Sequence, residues 1–158
     1  MSQVGSYTTD ASRGLNGLLA DSGHDMFIAS YAAEGASGLE FGLGVEAGTD
    51  AETQVVVYAG NTFSGVTVKS QVVSETSELA SLDGASETDP VGVLRKGRIW
   101  VQTNEAVAAG DPVFCVNTGA DAGKFRNDLA NATAVSGAAY MAYDSDRSLA
   151  LLELNLPA

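Results

Sequence analysis

The sequence predicts a single all-β domain, a sandwich, jelly roll or barrel, carrying an extended N-terminal arm. Three observations predict it. Short β-branched runs recur along the chain with turn residues between them. Glycine is plentiful, 18 residues against three prolines, while charged residues make up only 18%; that mix suits short strands and tight turns better than long helices. Hydrophobic residues are 45% of 158, so the chain is long enough to bury roughly 68–70% of its unfolded surface without disulfides or metals.

The elements follow in order. Ser6 to Asp25 is small and polar, with Leu15, Leu18 and Leu19 as its only large aliphatics. Gly14, Gly17 and Gly23 would each cost about 1 kcal/mol against alanine inside a helix. Residues 1–25 are therefore expected to form an arm that packs on its own core or on a neighbouring subunit. The β-rich domain is expected over 26–158. Met26–Ala33 is its first strand and Leu39–Val45 its second, with Gly42 and Gly44 weakening it or marking a bulge. Gln54–Tyr58 is a β-branched run. Gly65–Val73 alternates, with Val66, Val68 and Val72 on one face and Thr67, Lys69 and Gln71 on the other, the period of a half-buried strand.

Ser74–Pro90 interrupts the pattern. It carries Glu75, Glu78, Asp83, Glu87 and Asp89 and no base, and reads as an exposed acidic excursion with one helical turn at Ser77–Leu82. Loops of this length tend to be functional or mobile. Strands then resume. Val91–Leu94 and Arg98–Thr103 flank an expected turn at Arg95-Lys96-Gly97. Pro112–Asn117 follows a turn at Ala109-Gly110-Asp111. A polar turn over Thr118–Gly123 precedes Lys124-Phe125. Val135–Ala142 and Ser148–Leu154 flank a hairpin turn at Tyr143–Arg147. The last strand is apolar on both faces, which suits a central place or one beneath another chain. The count comes to about nine or ten strands.

Charge narrows the partners. Acids outnumber bases 20 to 8, for a net charge of −12. Nucleic acid and anionic membranes both call for a basic face, so neither is expected as a partner. No run of 18 apolar residues is present. Met1–Ser6 lacks the basic and apolar regions of a secretory signal. One cysteine, Cys115, excludes an intrachain disulfide and fits synthesis in a cytoplasm-like compartment. Residues 1–94 hold 13 acids and two bases, whereas 95–158 hold seven and six, which suggests two differently charged faces or two layers of one domain.

Nothing in the sequence marks catalysis, so no enzyme activity and no cofactor are expected. His24 is the only histidine and reads as a surface or packing residue. Cys115 lies in the apolar run Val113–Val116 and reads as a small buried hydrophobe. One histidine and one cysteine cannot make a structural zinc site. Asp144-Ser145-Asp146 and the Asp121–Asp128 region could offer oxygens to calcium, but neither has EF-hand spacing, and turn chemistry accounts for both. The glycines at 35, 38, 42, 44 and 48 do not form a phosphate-binding pattern. Arg95, Lys96 and Arg98 are the one basic cluster, either a solvated turn or a contact for the acidic side of another copy. Trp100 faces away from Ile99 and Val101, as a rim residue or an interface anchor would.

The run Gly14-Leu15-Asn16-Gly17-Leu18-Leu19-Ala20-Asp21-Ser22-Gly23 resembles the opening of tailed-phage capsid cement (decoration) proteins. Arg95–Val101 and the "GDPV" turn Gly110-Asp111-Pro112-Val113 resemble the second half of that family. The resemblance implies a small β-rich virion protein, made in the bacterial host's cytoplasm. It would sit on the outer capsid surface as a homodimer or homotrimer, bridge adjacent major capsid proteins and resist pressure from packaged DNA. It makes Leu15, Leu18, Leu19, Asp21, Arg95, Lys96, Arg98 and Trp100 the candidate capsid or subunit interface. Two rival readings are a biotinyl- or lipoyl-like carrier, or another barrel-sandwich binding module, and a hydrolase or carbohydrate-active jelly roll. The carrier needs a lysine in a Met-Lys-Met-like hairpin tip, and Lys69, Lys96 and Lys124 all lack that context.

Overall fold

A computed structural model describes residues 15–20, 26–35, 38–69, 84–85 and 87–157. Among these, the regular structure is all strand: β1 (Phe27–Ala33), β2 (Leu39–Glu40), β3 (Gly44–Ala47), β4 (Gln54–Val57), β5 (Phe63–Val68), β6 (Gly84–Ala85), β7 (Pro90–Gln102), β8 (Phe114–Val116), β9 (Phe125–Arg126), β10 (Ala132–Ala134), β11 (Ala138–Asp144) and β12 (Leu149–Asn155). Asp21, His24 and the helical turn expected at Ser77–Leu82 lie outside the described residues.

The main sheet runs β1-β4-β3-β5-β7-β12-β11, and β7 also pairs with β1. The first five strands thus close into a small barrel, and β12 and β11 extend the sheet from β7. A three-stranded sheet, β10-β8-β9, and a two-stranded ribbon, β2-β6, complete the fold. The all-β expectation holds, and the chain takes its barrel-like form. As the apolar character of both its faces suggested, β12 is central, between β7 and β11.

Two hydrophobic clusters lie on opposite faces of the barrel wall. Ala33, Val45, Val55, Val91 and Val93 join Leu39 and Phe41 in one. Val66, Leu94, Ile99, Val101, Leu152, Leu154, Tyr140, Cys115 and Phe125 form the larger one. Each fully buried Leu, Ile, Val or Phe adds roughly 1.5–3 kcal/mol to folding. Gly44 makes the close approach of β3 and β8 possible. A Cβ there would stand 2.6 Å from Cys115 Sγ and 2.7 Å from the Phe63 ring. Phe63 in turn meets Tyr58 and Phe125 edge to face, with centroids 5.7 and 6.1 Å apart.

Several expectations need correcting. The strand expected over Leu39–Val45 is broken at Phe41-Gly42, because Gly42 turns the chain at φ +77°. Thr67, expected to face solvent, is fully buried. Its hydroxyl donates to Glu40 O at 2.8 Å and accepts from Leu43 N at 3.1 Å, so its burial carries no unsatisfied group. The acidic excursion is not loop throughout, since Gly84-Ala85 pairs with Leu39-Glu40. The largest correction is at Arg95-Lys96-Gly97, where there is no turn. Residues 90–102 form one continuous strand.

Candidate functional site

The bend in β7 is a β-bulge. Phe27 pairs with Lys96 and Ile28 with Leu94, so Arg95 is an extra residue opposite β1. Gly97 takes φ +132° beside it. The extra residue inverts the alternation. Leu94 and Ile99 are an odd number of positions apart, yet both enter the same core cluster. Arg95, Lys96 and Arg98 are consequently gathered on the outward face of one strand rather than splayed around a hairpin.

The arm completes this face. Trp100 O accepts from Gly17 N at 2.9 Å, Trp100 N donates to Leu18 O at 3.0 Å, and Arg98 O accepts from Ala20 N at 3.0 Å. These groups point away from β12, which pairs with Lys96–Gln102 on the other edge. Lys96 likewise lies between Phe27 of β1 and Asn155 of β12. Residues 17–20 and β1 therefore line the same edge of β7 in succession. Leu19 bridges to Ile99 and packs on the larger core. Leu18, its neighbour, faces outward and is 40% exposed, and Phe27 is 52% exposed.

Among the described residues, this face gathers Arg95, Lys96 and Arg98 beside the exposed Leu18 and Phe27. Arg98 Nε pairs with Glu153 Oε2 at 2.8 Å, and Arg95 Nη2 donates to Pro157 O at 2.9 Å. The Arg98–Glu153 pair is largely in solvent and contributes about 0–1 kcal/mol, so it serves orientation more than stability.

The sequence-predicted residues divide accordingly. Leu18, Arg95, Lys96 and Arg98 lie along this surface, and Leu15 is exposed, its O accepting from Leu18 N at 2.9 Å. Asp21 lies outside the described residues. Leu19 faces its own core. Trp100 is only 5% exposed, so it is neither a rim residue nor a free anchor of this chain. Its polar-flanked position in sequence does not expose it, and residues 17 and 18 pair along its backbone.

Phe27, Met141 and Leu129 were missed. Phe27 and Ile28 stand on opposite faces of a strand end, and both are exposed. Met141 is the residue at which the β11–β12 register shifts, and the sequence carries no signal for that. Leu129 stands alone between Asp128 and Ala130-Asn131 in a turn, a placement a core leucine does not need.

A polar network holds the loops around Leu129. Arg126 pairs with Glu105 at 3.2 Å and with Asp128 at 2.6 Å, and donates to Ala130 O at 3.1 Å. Asp111, the acid of the "GDPV" turn, accepts from Asn127 Nδ2 and from Ala108 N, each at 2.9 Å. Those two bonds hold its carboxyl below the usual aspartate range. Asp121 pairs with Lys124 at 2.8 Å. Asp144 accepts from Asp146 N at 3.0 Å, a turn contact. The acids considered for calcium are thus engaged locally, and no group of three or more His, Cys, Asp or Glu is placed to hold a metal ion among the described residues.

Two buried groups are structural. Glu46 Oε2 accepts from Ala59 N and Asn61 N at 3.0 Å each, and Oε1 accepts from Asn61 Nδ2 at 2.8 Å. Burial pushes its carboxyl up, but these donors outweigh burial and the net shift is downward. Cys115 is fully buried. Desolvation first, and Glu46 second, push its thiol well above the ordinary range, the opposite of an activated nucleophile.

A similar fold has been solved. A chain of the structure titled "The capsid of Myoviridae Phage XM1" superposes with a TM-score of 0.70 at 21% identity, covering 98% of each chain. At that identity the likeness speaks for the fold. No curated protein matches the chain. A family model described as "Structural cement protein (E217 gp24/Pam3 gp6)" matches residues 3–155. The chain belongs to this family of phage structural cement proteins.

Proposed function

We propose that the chain binds the outer face of an icosahedral phage capsid and cements adjacent major capsid proteins. It acts by contact rather than catalysis, and it associates with further copies of itself as a dimer or trimer on the shell. Neither nucleic acid nor membrane is a partner in this reading. The observation that carries it is the bulged face of β7, where a family member otherwise rich in acids gathers Arg95, Lys96 and Arg98 beside the exposed Leu18 and Phe27. A surface that joins apolar area to opposite charge suits protein docking. Repeated by symmetry, many modest contacts of this kind make a stable shell.

The direct test adds purified protein to capsid shells that lack it. Saturable binding at a simple ratio to the major capsid protein supports the reading, and Lys96→Glu should weaken it severalfold. Absence of binding by a folded protein contradicts it.

A further inference from the structure

We propose that Asn16-Gly17 is a modification site, a succinimide-forming peptide that the seated arm holds closed, so that an arm off the barrel ages to an isoaspartyl form that cannot reseat. This is the one Asn-Gly pair in the chain. In the reaction Gly17 N attacks Asn16 Cγ. A Cγ–N bond forms, the Cγ–Nδ2 bond breaks, and ammonia leaves with the proton given up by Gly17 N. Water then opens the ring at either carbonyl, giving aspartate or isoaspartate. No shell or partner takes part, so the proposal stands or falls apart from the shell-binding reading.

The fold itself requires the labile pair. A Cβ on Gly17 would stand 2.8 Å from Phe41 Cβ and from Thr67 O, and 2.9 Å from Gly42 N. Only glycine fits this seat. The missing side chain is also what leaves the Gly17 nitrogen unscreened towards the Asn16 carboxamide.

The seat then blocks the reaction it invites. Leu18 N donates to Leu15 O at 2.9 Å, and Gly17 takes φ +71°, the pattern of a type II turn. Ring closure needs Gly17 N and Asn16 Cβ eclipsed about the Asn16 Cα–C bond. The residue before glycine in such a turn has an extended ψ, which holds them apart. The proton that must leave Gly17 N is donated to Trp100 O at 2.9 Å, and Gly17 O accepts from Lys69 N at 2.8 Å. Gly17 is buried, and Asn16 C lies against Gly42, where a Cβ would stand 3.3 Å from it. The peptide therefore rotates only when the arm lifts.

Conversion to isoaspartate is one-way. It carries the main chain through the former side chain, one methylene longer, and leaves the old carbonyl as a carboxylate. The lengthened chain cannot keep both the Leu15–Leu18 turn and the Gly17–Trp100 bond.

The test follows isoaspartate at position 16 by peptide mapping of the full chain at mildly alkaline pH. The native protein should convert far more slowly than the same chain unfolded in urea. Equal rates would overturn the proposal. Gly42→Ala should convert roughly tenfold faster than the parent, the factor that about 1.4 kcal/mol of lost seating supplies. In the parent, which needs no variant to fold, conversion should rise with sub-denaturing urea in step with hydrogen exchange at the Trp100 and Lys69 amides. Conversion that ignores this exchange would contradict gating by the arm. The isolated isoaspartyl protein should lack protection at both amides while β12 keeps its own. Retained protection at Trp100 would contradict the one-way step.

Discussion

Gly17 and Gly42 cross with their backbones in contact. A Cβ on Gly42 would stand 2.7 Å from Gly17 N, and one on Gly17 would stand 2.9 Å from Gly42 N. Both residues have positive φ, +71° and +77°. Through this crossing the arm seats against the barrel and reaches Trp100 and Lys69, whose amides donate to Leu18 O and Gly17 O.

Gly17→Ala or Gly42→Ala should therefore unseat the arm. The obstructing atoms are backbone or, for Gly17, also the Phe41 Cβ, and the conformation is strained for any residue with a side chain, so a loss of about 1–3 kcal/mol is expected. Hydrogen exchange would show it locally, with the Trp100 and Lys69 amides losing protection while those of β12 keep theirs. Unchanged protection at Trp100 would mean that the arm is not a member of the sheet.

The two neighbouring leucines of the arm should separate. Leu19→Ala loses packing on the larger core and should cost about 1–2 kcal/mol, less than a fully buried leucine. Leu18→Ser alters an outward-facing residue and should leave the melting temperature within a degree or so while weakening attachment to shells. Deleting Ser2–Asp21 should abolish shell binding, and the remaining β domain should fold with lower stability, because Arg98, Trp100 and Lys69 lose backbone partners. A deletion that binds shells as the full chain does would remove the arm from the interface.

Much of this was legible in the residues and some was not. The apolar run Leu149–Leu154 identified a central strand because both of its faces are covered. The bulge in β7 was not legible, since Arg-Lys-Gly is equally the chemistry of a turn. What separates the two is a partner on each edge of the strand, β1 and β12, and both pairings are distant in sequence. Thr67 was misassigned because alternation records polarity and not hydrogen bonding, and its hydroxyl finds partners in the bend at Glu40 and Leu43. Trp100 is buried and so is not an exposed anchor of the single chain. The arm that pairs along its backbone has no sequence signal tying it to position 100.

Glu46 makes stability depend on acid. Its folded pKa lies below the ordinary glutamate value of 4.5, so its contribution is fully present above that value and is lost as the pH falls through the folded pKa. Denaturant melts should show the wild type constant near neutrality and weakening below about pH 4.5. Glu46→Gln should be less stable at neutral pH and flatter on acidification, since the amide keeps an acceptor but not the charge. A wild-type stability that rises on acidification from pH 5 to 3 would contradict this sign.

Cys115 should report global opening. It is buried and its thiol is pushed strongly towards the protonated form, so alkylation of the native protein should proceed only as fast as the fold opens. Gly44→Ala brings a methyl against Cys115 Sγ and the Phe63 ring, an overpacking expected to cost about 1–3 kcal/mol and to speed alkylation correspondingly. Rapid alkylation of the wild type would mean that β8 does not seal against β3.

The most direct measurement counts this chain in purified phage particles. Quantitative mass spectrometry against the major capsid protein should return hundreds of copies, in a ratio near one or a simple fraction of it. A handful of copies per particle, or none, would contradict the role of a symmetric shell cement.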